Sequence, residues 1–250
     1  MKMQEIIGRL AKGENVKWVS HLETMRMLER ALRRAEIPIT YSQGFNPRPK
    51  LAMGPALPAG MTSEAELVAF FLEKRLDPED FKQRLNQQLP PGFSIQVAWA
   101  IPPFKKRQTL GDIDTAEYIV HAKGPVGAEE LERRAVGLLS NTELPLLRQR
   151  EKKTQQIDLR PWILALSVEE DGEGAKLRMV LHTGSSGGAR PQELLELLGI
   201  AGPEWQIAAH RRALYASHPE AGAKPKTPAL RKFRSLQTPP RRPAAGSGGE

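Results

Sequence analysis

The sequence predicts an α+β protein with two ferredoxin-like (βαββαβ) domains in tandem, whose antiparallel sheets carry their helices on one face. Its 250 residues, 40% of them hydrophobic, favour two compact domains over one. The first half alternates strand-like and helix-like segments in the order β, α, β, β, α, β, and the second half repeats this order more weakly. We therefore expect domains at residues 1–104 and 112–216, followed by a disordered basic tail at 217–250.

Helix signals mark the elements of the first domain. Ser20 and Glu23 have the spacing of a capping box, and Pro38 disfavours helix in the residue before it. Asp77 followed by Pro78 predicts the start of a second helix. The apolar face of the first helix is predicted at Met25, Leu28, Ala31, Leu32 and Ala35. The predicted order is strand 3–10, extended piece 16–19, helix 21–36, strand 37–41, turns 42–60, strand 66–72, helix 78–89 and strand 93–101.

The second domain follows a proline-rich, charged stretch at 102–107 that is typical of a linker. The predicted elements are strand 117–122, helix 128–139, strand 144–149, hairpin strands 162–169 and 176–182, helix 191–198 and strand 205–215. From residue 217 onward few large apolar residues are present, so this tail cannot form a core. Its Lys and Arg residues favour either a nucleic-acid-binding arm or a solubilising tail.

Composition restricts the chemistry of this chain. An excess of 37 Lys and Arg over 29 Asp and Glu gives a net charge of +8, which suits a polyanionic partner. The absence of cysteine excludes disulfides, thiolate-bound zinc, cysteine nucleophiles and iron–sulfur clusters held by this chain. No signal peptide or apolar segment of membrane-spanning length is visible. We expect a cytoplasmic protein with no cofactor, no metal ion and no membrane partner.

The face of the first helix opposite its apolar residues carries a row of arginines: Arg26, Arg30, Arg33 and Arg34. Guanidinium groups one turn apart can bind successive phosphates, because each presents a fork of donors and keeps its charge. A solvated helix face explains the same pattern, with Glu23, Glu29 and Glu36 pairing some of the arginines. The row by itself therefore leaves both interpretations open.

The ten residues from Tyr41 to Lys50 combine two aromatic rings, a glycine, two amides and two cations. This composition suits stacking on bases while N–H groups and cations hold phosphate. Turn chemistry explains Gly44 and Asn46-Pro47, but it does not require the rings or the cations. The candidate nucleic-acid-binding residues of this segment are Tyr41, Ser42, Gln43, Gly44, Phe45, Asn46, Arg48 and Lys50.

His21 stands at the start of the first helix, and it adjoins this loop if the next strand lies beside the helix. A histidine at this position can serve as a general acid or base, or bind a phosphate. A structural role at the helix start is the alternative, because no paired carboxylate or metal-ligand spacing accompanies it.

Several segments together resemble the bacterial radical SAM-linked proteins, a domain family found beside, or fused behind, a radical SAM enzyme. They are Val-Ser-His-Leu-Glu at 19–23, Glu-Arg-Ala-Leu-Arg-Arg-Ala at 29–35, Tyr-Ser-Gln-Gly-Phe-Asn-Pro at 41–47 and Ala-Leu-Pro-Ala-Gly at 56–60. Glu23 stands where the family usually has aspartate, and Arg48 where histidine is common. The resemblance implies a radical SAM enzyme as partner on a separate chain, with this chain binding or presenting the substrate.

The leading hypothesis is a non-catalytic RNA-binding accessory protein that works with a radical SAM enzyme in RNA modification or ribosome-related metabolism. The arginine row and Lys50 would contact phosphates, and Tyr41 and Phe45 would contact bases. Two other classes stay open. One is a metal-independent endoribonuclease that uses His21, and the other is a protein-interaction module whose loop docks the partner enzyme.

Overall fold

The computed structural model describes residues 4–101, 110–150, 153–184, 187–216 and 234–235. The elements of the first half are β1 (Gln4–Lys12), α1 (His21–Arg34), β2 (Leu51–Met53), β3 (Thr62–Leu72), α2 (Pro78–Asn86) and β4 (Phe93–Ala100). Those that follow are β5 (Ile113–Lys123), α3 (Ala128–Ser140), β6 (Pro145–Arg150), β7 (Lys153–Asp158), β8 (Ile163–Asp171), β9 (Gly174–His182), α4 (Pro191–Leu197), β10 (Gln206–Ala216) and β11 (Arg234–Ser235).

One large sheet runs through both halves, in the order β4-β1-β3-β10-β5-β9-β8, with β2 added to β3 and β11 to β10. Neighbouring strands pair antiparallel except at the junction between the halves, where β3 and β10 are parallel. There Thr62 faces His210 and Ser63 faces Arg211. The chain therefore has the predicted mixed α+β fold with a mostly antiparallel sheet.

Two cores lie on opposite faces of β3, because successive side chains of a strand point to opposite sides. Val68 and Phe70 pack in the core beneath α1 and α2. Leu67 and Ala69 point the other way and belong to a second core, which includes Leu131 of α3. The helices of the two halves therefore cover opposite faces of the shared sheet.

Helix α1 begins as the sequence predicts. The Ser20 hydroxyl accepts a hydrogen bond from the Glu23 N–H (3.2 Å), and the Glu23 carboxylate accepts one from the Ser20 N–H (2.9 Å). The helix ends at Arg34, and Glu36 then takes a positive φ of 52° as the chain turns away. The buried residues of α1 are Thr24, Met27, Leu28, Ala31 and Leu32, so Met27 takes the inward position that was predicted for Met25.

The strand predicted at 37–41 is wrong in its position. Ile39 makes one isolated bridge to Leu72, and the second strand of the sheet is β2 instead. The Thr40 N–H donates to the Phe71 carbonyl (2.7 Å), and the Lys50 N–H donates to the Thr40 carbonyl (2.7 Å). The edge strand is thus interrupted at Thr40 and resumes at Lys50, and the residues between them leave the sheet as a loop.

Two further differences concern short segments. The extended piece predicted at 16–19 is a tight turn, because a 3-10 helix at Glu14–Val16 leads into a Val19 N–H to Val16 carbonyl hydrogen bond of 2.9 Å. Strand β6 was predicted near its observed position, but it pairs only with β7, outside the large sheet, among the residues described. The sequence of β7 is polar throughout its first half and was not predicted as a strand.

The predicted linker at 102–107 lies outside the described residues. So does the tail at 217–250, apart from β11, whose Arg234 and Ser235 pair with Ala216 and Tyr215. None of the helices in the described ranges is long and apolar enough to cross a membrane.

Candidate nucleic-acid interface

Helix α1 presents three arginines of the predicted row on its outer face. Its apolar side chains point into the core beneath the sheet, so Arg26, Arg30 and Arg33 are exposed to solvent. At about 1.5 Å of rise per residue, consecutive members stand roughly 6 Å and 4.5 Å apart along the helix axis. The outer surface of α1 therefore carries a line of positive charges about one turn apart.

The loop at residues 41–49 projects from the interrupted sheet edge and is closed at its base by backbone contacts. The Ser42 N–H donates to the Arg48 carbonyl (2.8 Å), and the Arg48 N–H donates to the Ser42 hydroxyl (3.0 Å). Gly44 near the tip has a φ of +128°, a backbone conformation that residues other than glycine rarely adopt. The loop therefore has a defined shape, and turn chemistry explains Ser42 and Gly44 without a ligand.

The arginine row and this loop enclose one groove, with a volume of about 420 Å³. It is lined by Arg26, Glu29, Arg30, Arg33, Asn46, Pro47 and Arg48. We call it the arginine groove. The helix contributes one wall and the loop the other, so the two segments singled out in the sequence meet in space.

Positive charges outnumber negative ones in the arginine groove. Among the residues described, no carboxylate forms an ion pair with Arg26, Arg30, Arg33 or Arg48. Glu23 caps the helix, and its hydrogen bonds from Ser20, with a smaller contribution from the Arg26 charge, lower the pKa of its carboxyl group. The lining of the groove contains four guanidinium groups and one carboxylate, that of Glu29, so it attracts anions.

Arg34 and Lys50 do not join the arginine groove. The Arg34 guanidinium donates to the backbone carbonyl (2.6 Å) and side-chain oxygen (3.3 Å) of Gln88, beyond the end of α2. The Lys50 ammonium lies 5.1 Å from the centre of the Phe71 ring. Phe71 packs against the second core, on the face of β3 opposite α1. Arg34, as the last member of the row, and Lys50 were both predicted to contact phosphates. Neither lines the groove that Arg26, Arg30 and Arg33 share with the loop.

The aromatic residues of the loop are accessible. Phe45 is fully exposed at the tip, and Tyr41, which bridges to Pro49, is 38% exposed. Gln43 beside them is also exposed. Neither ring is part of a core, so both remain available to a stacking partner.

His21 lies away from the arginine groove, in a small pocket that also contains Lys12 and Glu66 and no residue of the groove. The pocket volume of about 10 Å³ has room for about one water molecule. Burial lowers the pKa of His21, an effect that the nearby Glu66 carboxylate partly opposes. A ribose cannot enter this space, so the geometry disfavours cleavage of RNA by His21.

A buried ionic cluster at the junction of the two halves was not predicted. Arg211 of β10 is completely buried and pairs with Glu66 of β3. The Arg211 guanidinium also donates to the Pro55 carbonyl (2.9 Å), and the Tyr118 hydroxyl is hydrogen-bonded to it. The sequence places the charged residues Glu66 and Arg211 within strands that also carry apolar residues, which indicates that they could be buried. That they pair with each other is visible only in the folded structure.

A larger cleft, of about 890 Å³, lies between the loop that follows β2 and the start of α4. Its buried charges are Arg148 and Glu193, which pair with each other through two hydrogen bonds of 2.7 Å. Arg190 and Glu196 also line it, so this cleft has as many carboxylates as guanidinium groups, whereas the arginine groove has four guanidinium groups and one carboxylate. The described residues contain no group of three or more acidic or histidine side chains suited to hold a metal ion.

The sequence matches a bacterial protein family. A family described as an uncharacterised protein conserved in bacteria, DUF2344, matches residues 6–191. The chain belongs to this family. The match covers α1, the loop and both walls of the arginine groove, so the candidate site lies within the family domain.

Similarity to solved structures is distant. A chain of a Cbf5-Nop10-Gar1 complex aligns with a TM-score of 0.45 and 11% identity, over 83% of this chain and 47% of that one. An unknown protein from Galdieria sulphuraria aligns with a TM-score of 0.24 and 15% identity, over 84% and 99% of the two chains. This family member thus spans about half the length of the first structure. No curated protein matches the chain.

Proposed function

We propose that this protein binds RNA through the arginine groove and acts as a non-catalytic accessory. The observation that supports the proposal is the convergence of four guanidinium groups on one groove, with no ion pair to them from any residue that the structure describes. A solvated, structural helix face would be expected to pair its arginines with the neighbouring glutamates. Here Glu23 caps the helix, and Glu29 forms no ion pair with the arginines in the described part of the chain.

The composition of the loop favours a single-stranded partner. Single-stranded RNA offers both phosphates and unstacked bases, and proteins bind it by combining a cationic groove with exposed aromatic rings. Phe45 and Tyr41 supply such rings on the loop that forms one wall of the groove. Their exposure fits base stacking better than it fits a role in packing.

We propose further that each half is a ferredoxin-like unit. The support is the strand order: β4-β1-β3-β2 in the first half and β10-β5-β9-β8 in the second. Both orders are antiparallel throughout and correspond to the βαββαβ arrangement. In this arrangement the arginine groove lies at the edge of the first unit, beside β2.

A radical SAM enzyme is the partner that we propose. This rests on the resemblance of residues 15–72 to radical SAM-linked proteins and on the absence of cysteine from the chain. Because radical SAM chemistry requires a cysteine-bound cluster, that chemistry belongs to the partner. This chain would hold the RNA on which the partner acts.

The RNA proposal is tested by replacing Arg30 and Arg33 together with alanine and measuring the anisotropy of labelled single-stranded RNA over a series of salt concentrations. Each lost phosphate contact should reduce the slope of log affinity against log salt by roughly 0.7. The control is Lys123→Ala with Arg133→Ala, which removes the same charge from two exposed, ion-paired sites in the second half.

The expected result is weaker binding with a shallower salt dependence for the groove variant, and parental binding for the control. Equal weakening in both variants would show that net charge, and not the groove, holds the RNA. If the parent protein binds no RNA, the loop and helix serve a protein partner instead, and co-purification with that partner after nuclease treatment would show it.

A further inference from the structure

Two large apolar side chains are exposed at the start of α1, outside the arginine groove. Trp18 is 73% exposed and Leu22 is 52% exposed. Neither belongs to a core cluster of the described residues. Exposed indole rings are uncommon on protein surfaces without a binding role, because burying such a ring is strongly favourable.

Leu22 continues the arginine row. It precedes Arg26 by four residues, so both side chains lie on the same face of the helix, one turn apart. Trp18 precedes the helix, two residues before the extended Ser20 cap. Exposed apolar side chains therefore stand at the start of α1, and the cationic groove follows along its outer face.

The Trp18 ring is held in place on one side. A Cβ atom at Gly60 would lie only 2.8 Å from the six-membered ring of the indole, so the ring packs directly against the Gly60 backbone. The Gly60 N–H also donates to the Lys17 carbonyl (2.9 Å), which fixes the backbone next to the tryptophan. The Lys17 ammonium lies 5.9 Å from the centre of the ring. With 73% of the residue exposed, most of the indole surface remains accessible to solvent.

We propose that Trp18, with Leu22 beside it, is a base-stacking platform that extends the RNA path beyond the arginine groove, so that a single strand lies lengthwise along α1. The inference rests on the proposed function. The charge pattern favours a nucleic acid over a protein, because the neighbouring surface is lined by four arginines that form no ion pair with any described residue. A base can stack on an open indole while its phosphates reach the row.

The geometry sets a length for a stacked ligand. From Leu22 to Arg33 the helix rises about 16 Å at ~1.5 Å per residue. At ~3.4 Å per nucleotide, the spacing along a stacked strand, about five nucleotides cover this distance. A more extended strand covers it with fewer.

The test uses two readouts on the full chain with oligouridine as the probe. Affinity is measured by anisotropy, and stacking is measured as quenching of intrinsic tryptophan fluorescence at saturation. Trp18→Ala should weaken binding of a long oligomer roughly 5- to 150-fold, as expected for loss of one base–aromatic stack. Trp18→Phe should keep most of the affinity and lose the quenching. The matched control is Trp162→Phe, which replaces a half-buried tryptophan beside Arg148. It should change neither the affinity for the oligomer nor the quenching.

The design separates this inference from the proposed function. The variant with Arg30 and Arg33 replaced by alanine should bind weakly yet quench Trp18 fully at saturation, because its indole is unchanged. If that variant loses affinity while Trp18→Ala and Trp18→Phe bind and quench like the parent, RNA binding stands and the platform is wrong. If the parent binds no oligouridine, the proposed function and the platform both fail. Thermal unfolding of Trp18→Phe checks that it remains folded.

Discussion

The guanidinium group of Arg211 and the carboxylate of Glu66 form a two-pronged ion pair inside the protein, where the two halves of the sheet meet. The Arg211 Nε donates to one Glu66 oxygen (2.8 Å), and its Nη2 donates to the other. Ser63 adds a hydroxyl donor to the same carboxylate (2.6 Å). Only two residue pairs join β3 to β10 in parallel, so this pair reinforces a short backbone junction.

Replacing Glu66 with glutamine should therefore destabilise the whole protein. Removal of one partner leaves the other charge buried without compensation, which costs about 3–5 kcal/mol. Urea unfolding of the parent and Glu66→Gln measures this loss. Adding Arg211→Met to the Glu66→Gln variant should recover part of it, because the uncompensated charge is then removed. A stability loss that simply adds in the double variant would contradict a direct coupling between the two residues.

Arg34→Ala should leave RNA affinity unchanged and lower the free energy of unfolding. Arg33→Ala should lower RNA affinity and leave the free energy of unfolding unchanged. Arg34 donates to Gln88 and holds α1 against the end of α2, and a hydrogen bond of this kind contributes about 1 kcal/mol. Arg33 is adjacent in sequence but lies in the arginine groove. Anisotropy and thermal unfolding on the two single variants distinguish these roles. Equal loss of RNA affinity in both variants would mean that Arg34 also contacts the RNA.

The contrast between Arg33 and Arg34 also shows what the sequence can predict. The helix, its capping box and the outward arginine face depend on residues within a few positions of one another, and these features were predictable. The partner of Arg34 lies 54 residues away in Gln88. No local pattern encodes such a contact, so the row appeared uniform in the sequence.

The edge of the large sheet at β2 also shows that contacts between distant residues could not be predicted from the sequence. Ile37 and Ile39 alternate inward as strand residues do, and the sequence therefore predicts a strand there. The Thr40 and Lys50 hydrogen bond shows instead that the edge is interrupted and resumes in β2. The site exists because of this interruption, since the loop that leaves the sheet forms one wall of the groove. Lys50 resumes the edge strand, and its ammonium consequently lies over Phe71, on the other face.

Ser20→Ala should weaken both the start of α1 and RNA binding. The hydroxyl of Ser20 accepts from the Glu23 N–H, and loss of such a cap costs about 1 kcal/mol. Fraying of the first turn would disorder Leu22 and the approach to Arg26, so affinity should fall modestly. Ser20→Thr keeps the capping oxygen and should behave like the parent. Hydrogen exchange of the first-turn amides reports the fraying directly, and unchanged protection in Ser20→Ala would contradict this role.

Finally, His21 should make stability depend on pH. Burial lowers its pKa below the ordinary value of 6.5, so in the folded protein it binds a proton less readily than in the unfolded chain. Well above pH 6.5 the ring is neutral in both states. As the pH falls below that value, the unfolded chain takes up more protons, and the free energy of unfolding decreases until the folded pKa is passed.

The groups that face His21 define the control for this measurement. Lys12, Glu66 and Arg211 surround it, and the Glu66 carboxylate and Arg211 guanidinium act on its pKa in opposite directions. The difference between the unfolding free energies of the parent and His21→Gln, followed by urea unfolding over a pH series, cancels the other titrating groups. This difference should be constant well above pH 6.5. As the pH falls below 6.5, the unfolding free energy of the parent should decrease relative to that of His21→Gln. A constant difference across the whole series would show that His21 titrates as it does in the unfolded chain. RNA incubated with either protein should remain intact, because the half-buried histidine borders a pocket that shares no residue with the arginine groove.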